Sequence, residues 1–201
     1  MVKCADHTKG EGYARRLQSL EGLWWKRFFK VQAPYRWNLT RLGLGKTLEV
    51  GCGIGRNLKH LRGQAVGIDH NAASVAIARD RGLLAFTPEE FKTSEYSRRG
   101  AFDSLLLAHV VEHMLFDDAV SLVRGHVPFV RPGGKLVIVT PQEAGYRSDA
   151  THVTFVDFRA IGALCASVGA QVARSYSFPF PRAAGRFFAY NEFVVVAQIP
   201  G

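Results

Sequence analysis

Apolar positions Tyr13, Leu17, Leu20, Trp24, Phe28 and Val31 recur at steps of three or four, so the spacing predicts an amphipathic helix ending near Pro34. Trp25 and Phe29 fall off that stripe among Lys26, Arg27 and Lys30, which adds aromatic surface beside positive charge. A second, short helix is expected from Pro34, whose missing N–H suits a first helical position, to about Gly43. Past Lys46 the pattern changes. Short apolar runs at Thr47–Val50, Ala65–Ile68, Leu83–Phe86, Asp103–Leu107 and Lys135–Thr140 read as strands, and helical patterns at Asn57–Leu61, Ala72–Arg81 and Asp117–Val127 lie between them. Such alternation predicts a parallel sheet wrapped by helices. Pro132-Gly133-Gly134 reads as a turn separating the last of these helices from its strand.

After Thr140 comes a polar loop, PQEAGYRSDATHVTF, then a helix near Asp157–Val168 that Gly169 would cap. Two final strands are expected around Gln171–Ser177 and Phe187–Gln198. The aromatic, proline-rich segment FPFPRAAGRF joins them, which suits an antiparallel edge hairpin.

Composition adds limits. The 201 residues are 47% hydrophobic and 21% charged, enough for one well-packed domain and far from the signature of disorder. No apolar run approaches the roughly 20 residues that span a bilayer, and MVKCADHTKG lacks the apolar stretch of a signal peptide, so a cytoplasmic location is expected. Cys4, Cys52 and Cys165 have neither paired nor metal-type spacing. The net charge of +9 is uneven: residues 1–46 hold ten Lys and Arg against three acids, which leaves +7 before the first strand. That start fits a solvated basic face, and also an anionic substrate, RNA or an anionic lipid surface.

The chemistry begins where Leu48-Glu49-Val50 runs into Gly51-Cys52-Gly53-Ile54-Gly55 and then a helix. Glycines let the backbone turn sharply and approach a ligand, and the helix start offers unpaired N–H groups. The spacing is Gly-x-Gly-x-Gly rather than the GxGxxG of dinucleotide-binding folds. The next strand ends in Gly67-Ile68-Asp69-His70, with a carboxylate placed to accept both hydroxyls of a ribose.

On these residues the sequence, over roughly Leu48–Val139, resembles the class I S-adenosylmethionine (SAM) dependent methyltransferases. The resemblance implies a Rossmann-like doubly wound α/β fold, a seven-stranded, mostly parallel sheet with an antiparallel final strand and helices on both faces. It implies one domain over 1–201: a helical lid (1–45), a SAM-binding core (46–140) and a substrate-side loop, helix and hairpin (141–201). It assigns SAM contacts to Glu49, Gly51, Cys52, Gly53, Gly55, Asp69 and His70, and to Ala108 and His109 after the fourth strand. The family's adenine-side position falls on Phe86-Thr87-Pro88-Glu89, where Pro88 has no N–H to give; Thr87 or Glu89 would substitute, or the adenine would sit mainly in an apolar slot.

The segment FDSLLLAHVVEHM then supplies His109, Glu112 and His113, with the two histidines at i and i+4, on one face if helical. The pattern is similar to the metal-binding E-x-x-E-H of ubiquinone-type and small-RNA-end O-methyltransferases, with His109 in place of the first Glu. With His152 these residues are the candidate metal ligands, although the expectation is a reaction without a metal. His109 and His152 are the candidate catalytic bases. The N-terminal helices, the Tyr146 loop and the FPFPR loop, with Trp24, Trp25, Phe28, Tyr146, Phe178, Phe180 and Arg182, would roof the site and suit an aromatic or anionic acceptor. The leading expectation is therefore methyl transfer to oxygen, nitrogen or carbon of a small-molecule or lipid- or glycan-linked acceptor. RNA methylation and a non-catalytic SAM-fold binding module are the alternatives, and peripheral membrane contact by the first helix is a separate one.

Overall fold

The computed structural model describes residues 33–61 and 63–201. The helix expected over Tyr13–Val31, with most of the basic start, lies outside the described residues. Residues 33–41 are helical (α1), as expected from Pro34. The chain divides into two compact units, Met1–Tyr96 and Ser97–Gly201.

In the first unit, β1 (Thr47–Val50), β2 (Ala65–Ile68) and the two-residue β3 (Ala85–Phe86) are parallel, with Thr47 opposite Ala65 and Gly67 opposite Ala85. Every residue of β1 and β2 is buried, the pattern of parallel strands covered on both faces. Helices α2 (Arg56–His60) and α3 (Ala72–Asp80) close this unit over a core of Cys52, Leu58, Ala65, Val75, Ala78 and Ala85. The buried side chain of Asn71 caps α3, accepting the amides of Ala73 and Ser74.

A helix not foreseen, α4 (Pro88–Thr93), follows β3 directly. Thr87 is its N-cap: the Thr87 hydroxyl accepts from the Glu90 amide while the Glu90 carboxylate accepts from the Thr87 amide. Pro88, read from the sequence as a missing donor in a binding loop, is the first residue of this helix, where no N–H is needed.

In the second unit, β4 (Phe102–Ala108) lies parallel to β5 (Val130–Pro141), and β5 is antiparallel to β7 (Glu192–Gln198), which pairs antiparallel with β6 (Gln171–Phe178). The FPFPRAAGRF segment closes the β6–β7 hairpin, as expected. Its last strand starts at Glu192 rather than near Phe187, because residues 182–186 form a 3-10 turn. Helices α5 (Phe116–His126) and α7 (Phe158–Ser167) flank this sheet, α7 being N-capped by Asp157. The polar loop after β5 contains a further short helix, α6 (Glu143–Arg147). Pro132-Gly133-Gly134 lies within β5, not before it: pairing with β4 shifts register between Phe102 and Ser104, so the turn-forming residues are absorbed as an irregularity of the strand.

Across the chain the sheet has seven strands in the order β3-β2-β1-β4-β5-β7-β6, parallel except around β7. Among the described residues no helix is long and apolar enough to cross a membrane.

Candidate active site

The glycine loop after β1 has the conformation its sequence requires. Gly51, Gly53 and Gly55 all have positive φ, at 78°, 52° and 83°. A Cβ on Gly53 would meet open space, so its lack of a side chain keeps a ligand-facing surface bare. Asp69, at the end of β2, is buried and ties this loop down: one carboxylate oxygen accepts the Gly53 amide at 2.7 Å and the other accepts the Asn71 amide at 2.8 Å. His70 is exposed beside it, with Nδ1 3.8 Å from the Asp69 carboxylate.

Beneath the loop, Glu49 is fully buried in β1. Its Oε1 accepts from Asn57 Nδ2 at 2.7 Å, whereas Oε2 has no hydrogen-bond partner. Burial, reinforced by the Asp69 charge and opposed by Asn57 and Arg56, pushes the Glu49 carboxyl from 4.5 up to about 8. An orphaned buried carboxylate oxygen next to a side-chain-free loop is the electrostatic complement of a cationic, amine-bearing ligand. The residues thus fit the aminoacyl end of SAM, and Cys52, buried with its thiol pushed far above the ordinary range by desolvation, contributes packing rather than reactivity. Thr87 is only half-buried, and its hydroxyl and amide are both spent on the cap of α4.

The second cluster gathers at the carboxyl end of β4. The ladder continues one residue past half-buried Ala108, the His109 amide bonding to the Val139 carbonyl at 2.9 Å. His109 itself has φ 59°, the single described non-glycine residue with positive φ, and Val111–His113 form a 3-10 turn. The helix that would have stacked His109 over His113 is therefore not formed. The left-handed conformation, which costs about 1 kcal/mol or more, swings the His109 ring between two carboxylates. Nε2 is 2.8 Å from Glu192 Oε1, and Nδ1 is 3.3 Å from Glu112 Oε1. Desolvation works against its charge, but the Glu112 and Glu192 carboxylates outweigh it and push the imidazole up to about 10. The two carboxylates favour the charged form of the ring, in which it has no lone pair to accept a proton.

His113 and His152 are differently set. His113 Nδ1 lies 3.2 Å from both the carbonyl and the hydroxyl of Thr151, and that hydroxyl donates to Asp149. His152 Nδ1 lies 2.8 Å from the Tyr146 carbonyl, and its ring stacks on Tyr146. A carbonyl can only accept, so each ring carries a proton on Nδ1, and Nε2 is the acceptor atom of the neutral tautomer. Burial lowers the His113 pKa and keeps that ring neutral. Glu112 completes the group: it is fully buried, with its Oε1 3.3 Å from His109 Nδ1. Ligand atoms of Glu112, His113 and His152 lie within 4.8 Å of one another. Of the four metal candidates from the sequence, the structure brings these three together and assigns His109 to a salt bridge instead. One buried carboxylate and two imidazoles within reach of one another are a donor set that fits a divalent cation.

Glu192 was not apparent from the sequence, since only the β5–β7 register, with Pro141 opposite Glu192, brings it to this end of the sheet. Gln142 and Asn191, both fully buried, were also missed. The Asn191 amide donates to Gln142 Oε1, Ser177 Oγ and the carbonyls of Phe180 and Pro181, and the Gln142 amide donates to Ser177 Oγ and the Glu192 carbonyl. Arg182 pairs with Glu143 and stacks over Phe193, so it is a fixed part of the wall rather than a free anion receptor.

Comparison with known proteins agrees with this geometry. Residues 48–138 match the family described as "Methyltransferase domain". Ubiquinone biosynthesis O-methyltransferases of Bradyrhizobium diazoefficiens and Rhodopseudomonas palustris are each 29% identical, over 51% and 47% of this chain. The chain spans only about two fifths of the length of these curated relatives, 42% and 39%. Among solved structures, the putative methyltransferase bound to the Haloferax volcanii Trm112 activator superposes with a TM-score of 0.68 at 15% identity, covering 96% of both chains. A SAM-dependent methyltransferase from Archaeoglobus fulgidus gives 0.65 at 16% identity over 82% of this chain and 92% of its own. N-methyltransferase NodS of Bradyrhizobium japonicum gives 0.62 at 16% identity, over 83% and 95%. At these identities the likeness to solved structures shows the fold.

Proposed function

We propose, from the match of residues 48–138 to the methyltransferase-domain family, that the chain is a SAM-dependent methyltransferase and transfers the methyl group of SAM to a hydroxyl oxygen of a small-molecule acceptor. Glu49, the loop Gly51–Gly55 and Asp69 hold the cofactor, with Glu49 and Asp69 meeting its cationic amine and its ribose hydroxyls. Asp69 has a second duty, since the same carboxylate fixes the Gly53 amide. The sulfonium supplies a methyl group with a neutral leaving group, so the protein's task is to present an oxygen nucleophile and remove its proton.

The observation that carries the oxygen assignment is the tautomer of His152. Its Nδ1–H is committed to the Tyr146 carbonyl at 2.8 Å, so Nε2 is the atom that would accept a proton, and it belongs to the cluster with Glu112 and His113. His152 accepts the acceptor's hydroxyl proton, and the stacked Tyr146 and edge-on Phe155 offer an aromatic wall for the acceptor ring. The names of the curated relatives support an oxygen acceptor as well.

The test is S-adenosylhomocysteine formation against a panel of phenolic and aliphatic hydroxyl acceptors. His152→Gln should lower kcat by about 10²–10⁴-fold, the usual range for a general base, with SAM affinity unchanged by calorimetry. Asp69→Ala should abolish SAM binding. Unchanged turnover in His152→Gln would overturn the assignment.

A second reading is favoured by the grouping of Glu112, fully buried, with His113 and His152, whose ligand atoms lie within 4.8 Å of one another. Here Glu112, His113 and His152 would hold a divalent cation, which acts as a Lewis acid and lowers the pKa of a hydroxyl bound to it. His152 cannot both ligate and accept the proton. Loss of activity on chelation, restored by one divalent metal, would favour this reading; activity indifferent to chelator favours the base.

A further inference from the structure

The β6–β7 connection is a rigid scaffold with an exposed tip. Between Phe178 and Asn191 it carries five aromatic residues and two arginines, and no Asp or Glu. Its base is pinned from inside by the Asn191 and Gln142 amides, and Gly185 packs so closely on Gln142 that a Cβ would overlap it. Phe180, Phe188 and Tyr190 then stack edge to face in sequence, with centroids 5.3 and 5.6 Å apart. This internal order has an unusual result: Phe187 is 88% exposed, with Phe180 at 50% and Tyr190 at 43%.

A protruding phenylalanine on a loose loop would need no explanation, but here the backbone beneath it is fixed by buried hydrogen bonds. Exposed aromatic clusters on ordered surfaces mark sites of association. Charge decides the kind of partner. Arg186 is exposed next to Phe187, and exposed Arg147 donates to the Arg186 carbonyl, which sets a second guanidinium beside the tip. A protruding aromatic flanked by arginines with no carboxylate in the segment matches the boundary of a bilayer, where the ring enters the acyl edge and the guanidinium groups meet phosphate. A protein partner would have to supply a groove for Phe187 together with anions on both sides.

We propose that the tip Arg186–Phe187, supported by Phe180 and Arg147, docks the protein reversibly on an anionic lipid surface. Arg147, Arg186 and Phe187 are not among the residues assigned to methyl transfer.

The full chain should co-sediment with vesicles of phosphatidylcholine and phosphatidylglycerol, less with phosphatidylcholine alone, and less as salt is raised. Arg186→Glu and Phe187→Ser should each weaken binding to the mixed vesicles by at least about fivefold, the effect of roughly one interfacial charge. SAM affinity and circular dichroism should be unchanged in both, which shows the fold is intact. Phe187→Trp should gain emission that brominated lipids quench beyond that of the native tryptophans. Absence of binding to the mixed vesicles overturns the proposal. So does full binding by both variants, which would assign any lipid affinity to another segment, or an unquenched Trp at 187, which would leave the tip to a protein partner.

Discussion

At the scale of single residues, each buried polar group in the two clusters carries a measurable consequence. Glu49 is the clearest. Its carboxyl titrates near 4.5 when unfolded and about 8 when folded, so between those values the folded state holds a proton that the unfolded state has lost. A group with a raised folded pKa contributes most below its unfolded pKa, and that contribution drains away as pH climbs toward 8. The ligand-free protein should therefore lose stability between about pH 4.5 and 8 through this group, and Glu49→Gln should flatten that part of a Tm-against-pH curve. Glu49→Gln should also weaken SAM binding, because the amide cannot offer charge to the cofactor's amine. An unchanged pH profile would mean that the buried carboxylate is already paired. The sequence identified Glu49 by its place before the glycines, but not its orphaned Oε2, which depends on how β1 is covered. His109 shows the opposite limit. Its spacing to His113 was legible, whereas its φ of 59° and its salt bridge to Glu192 come from a partner 83 residues away.

At the scale of elements, patterns of apolar residues located almost every strand and helix, because burial imposes periods of two or 3.6 on any sequence that forms them. The exceptions share a cause. Helix α4 has six residues and no apolar stripe long enough to register, yet Thr87, Pro88 and Glu90 spell a capping box that a closer reading of local hydrogen bonding would have found. In β2, Gly67 is held by packing: a Cβ there would lie within 3 Å of Cys52 and Leu58, side chains of the cofactor loop and of α2. Gly67→Ala should destabilise the protein by about 1–3 kcal/mol, the usual cost of overpacking, and should weaken SAM binding by displacing the Cys52 turn. Urea denaturation and calorimetry on one sample measure both. Loss of stability with intact SAM affinity would show that the loop is not braced by this contact.

At the scale of the whole molecule, long-range pairing assembles what neighbouring residues cannot. Gln142 follows β5, Ser177 lies in β6, and Asn191 and Glu192 stand at the start of β7; they converge because β7 runs antiparallel between the other two. Asn191→Ala would leave several buried donors and acceptors unpaired, at a cost of roughly 1–3 kcal/mol, and should loosen the segment that displays Phe187. Hydrogen exchange of the Phe180 amide, which donates to Asn191 Oδ1, should rise sharply in that variant; an unchanged rate would place the order of the loop elsewhere.

The sequence by itself determined the alternation of strands and helices, the glycine loop with Glu49 and Asp69, and hence the resemblance to SAM-dependent methyltransferases, because periodicity, turn chemistry and loop spacing are local properties of a chain. Only the tertiary structure decided that His109 lies between Glu112 and Glu192, that Glu112, His113 and His152 form one cluster, and that Asn191 and Gln142 share buried hydrogen bonds. Those facts depend on strand register and on which polar groups are left without water, and neither is written in the spacing of residues along the chain.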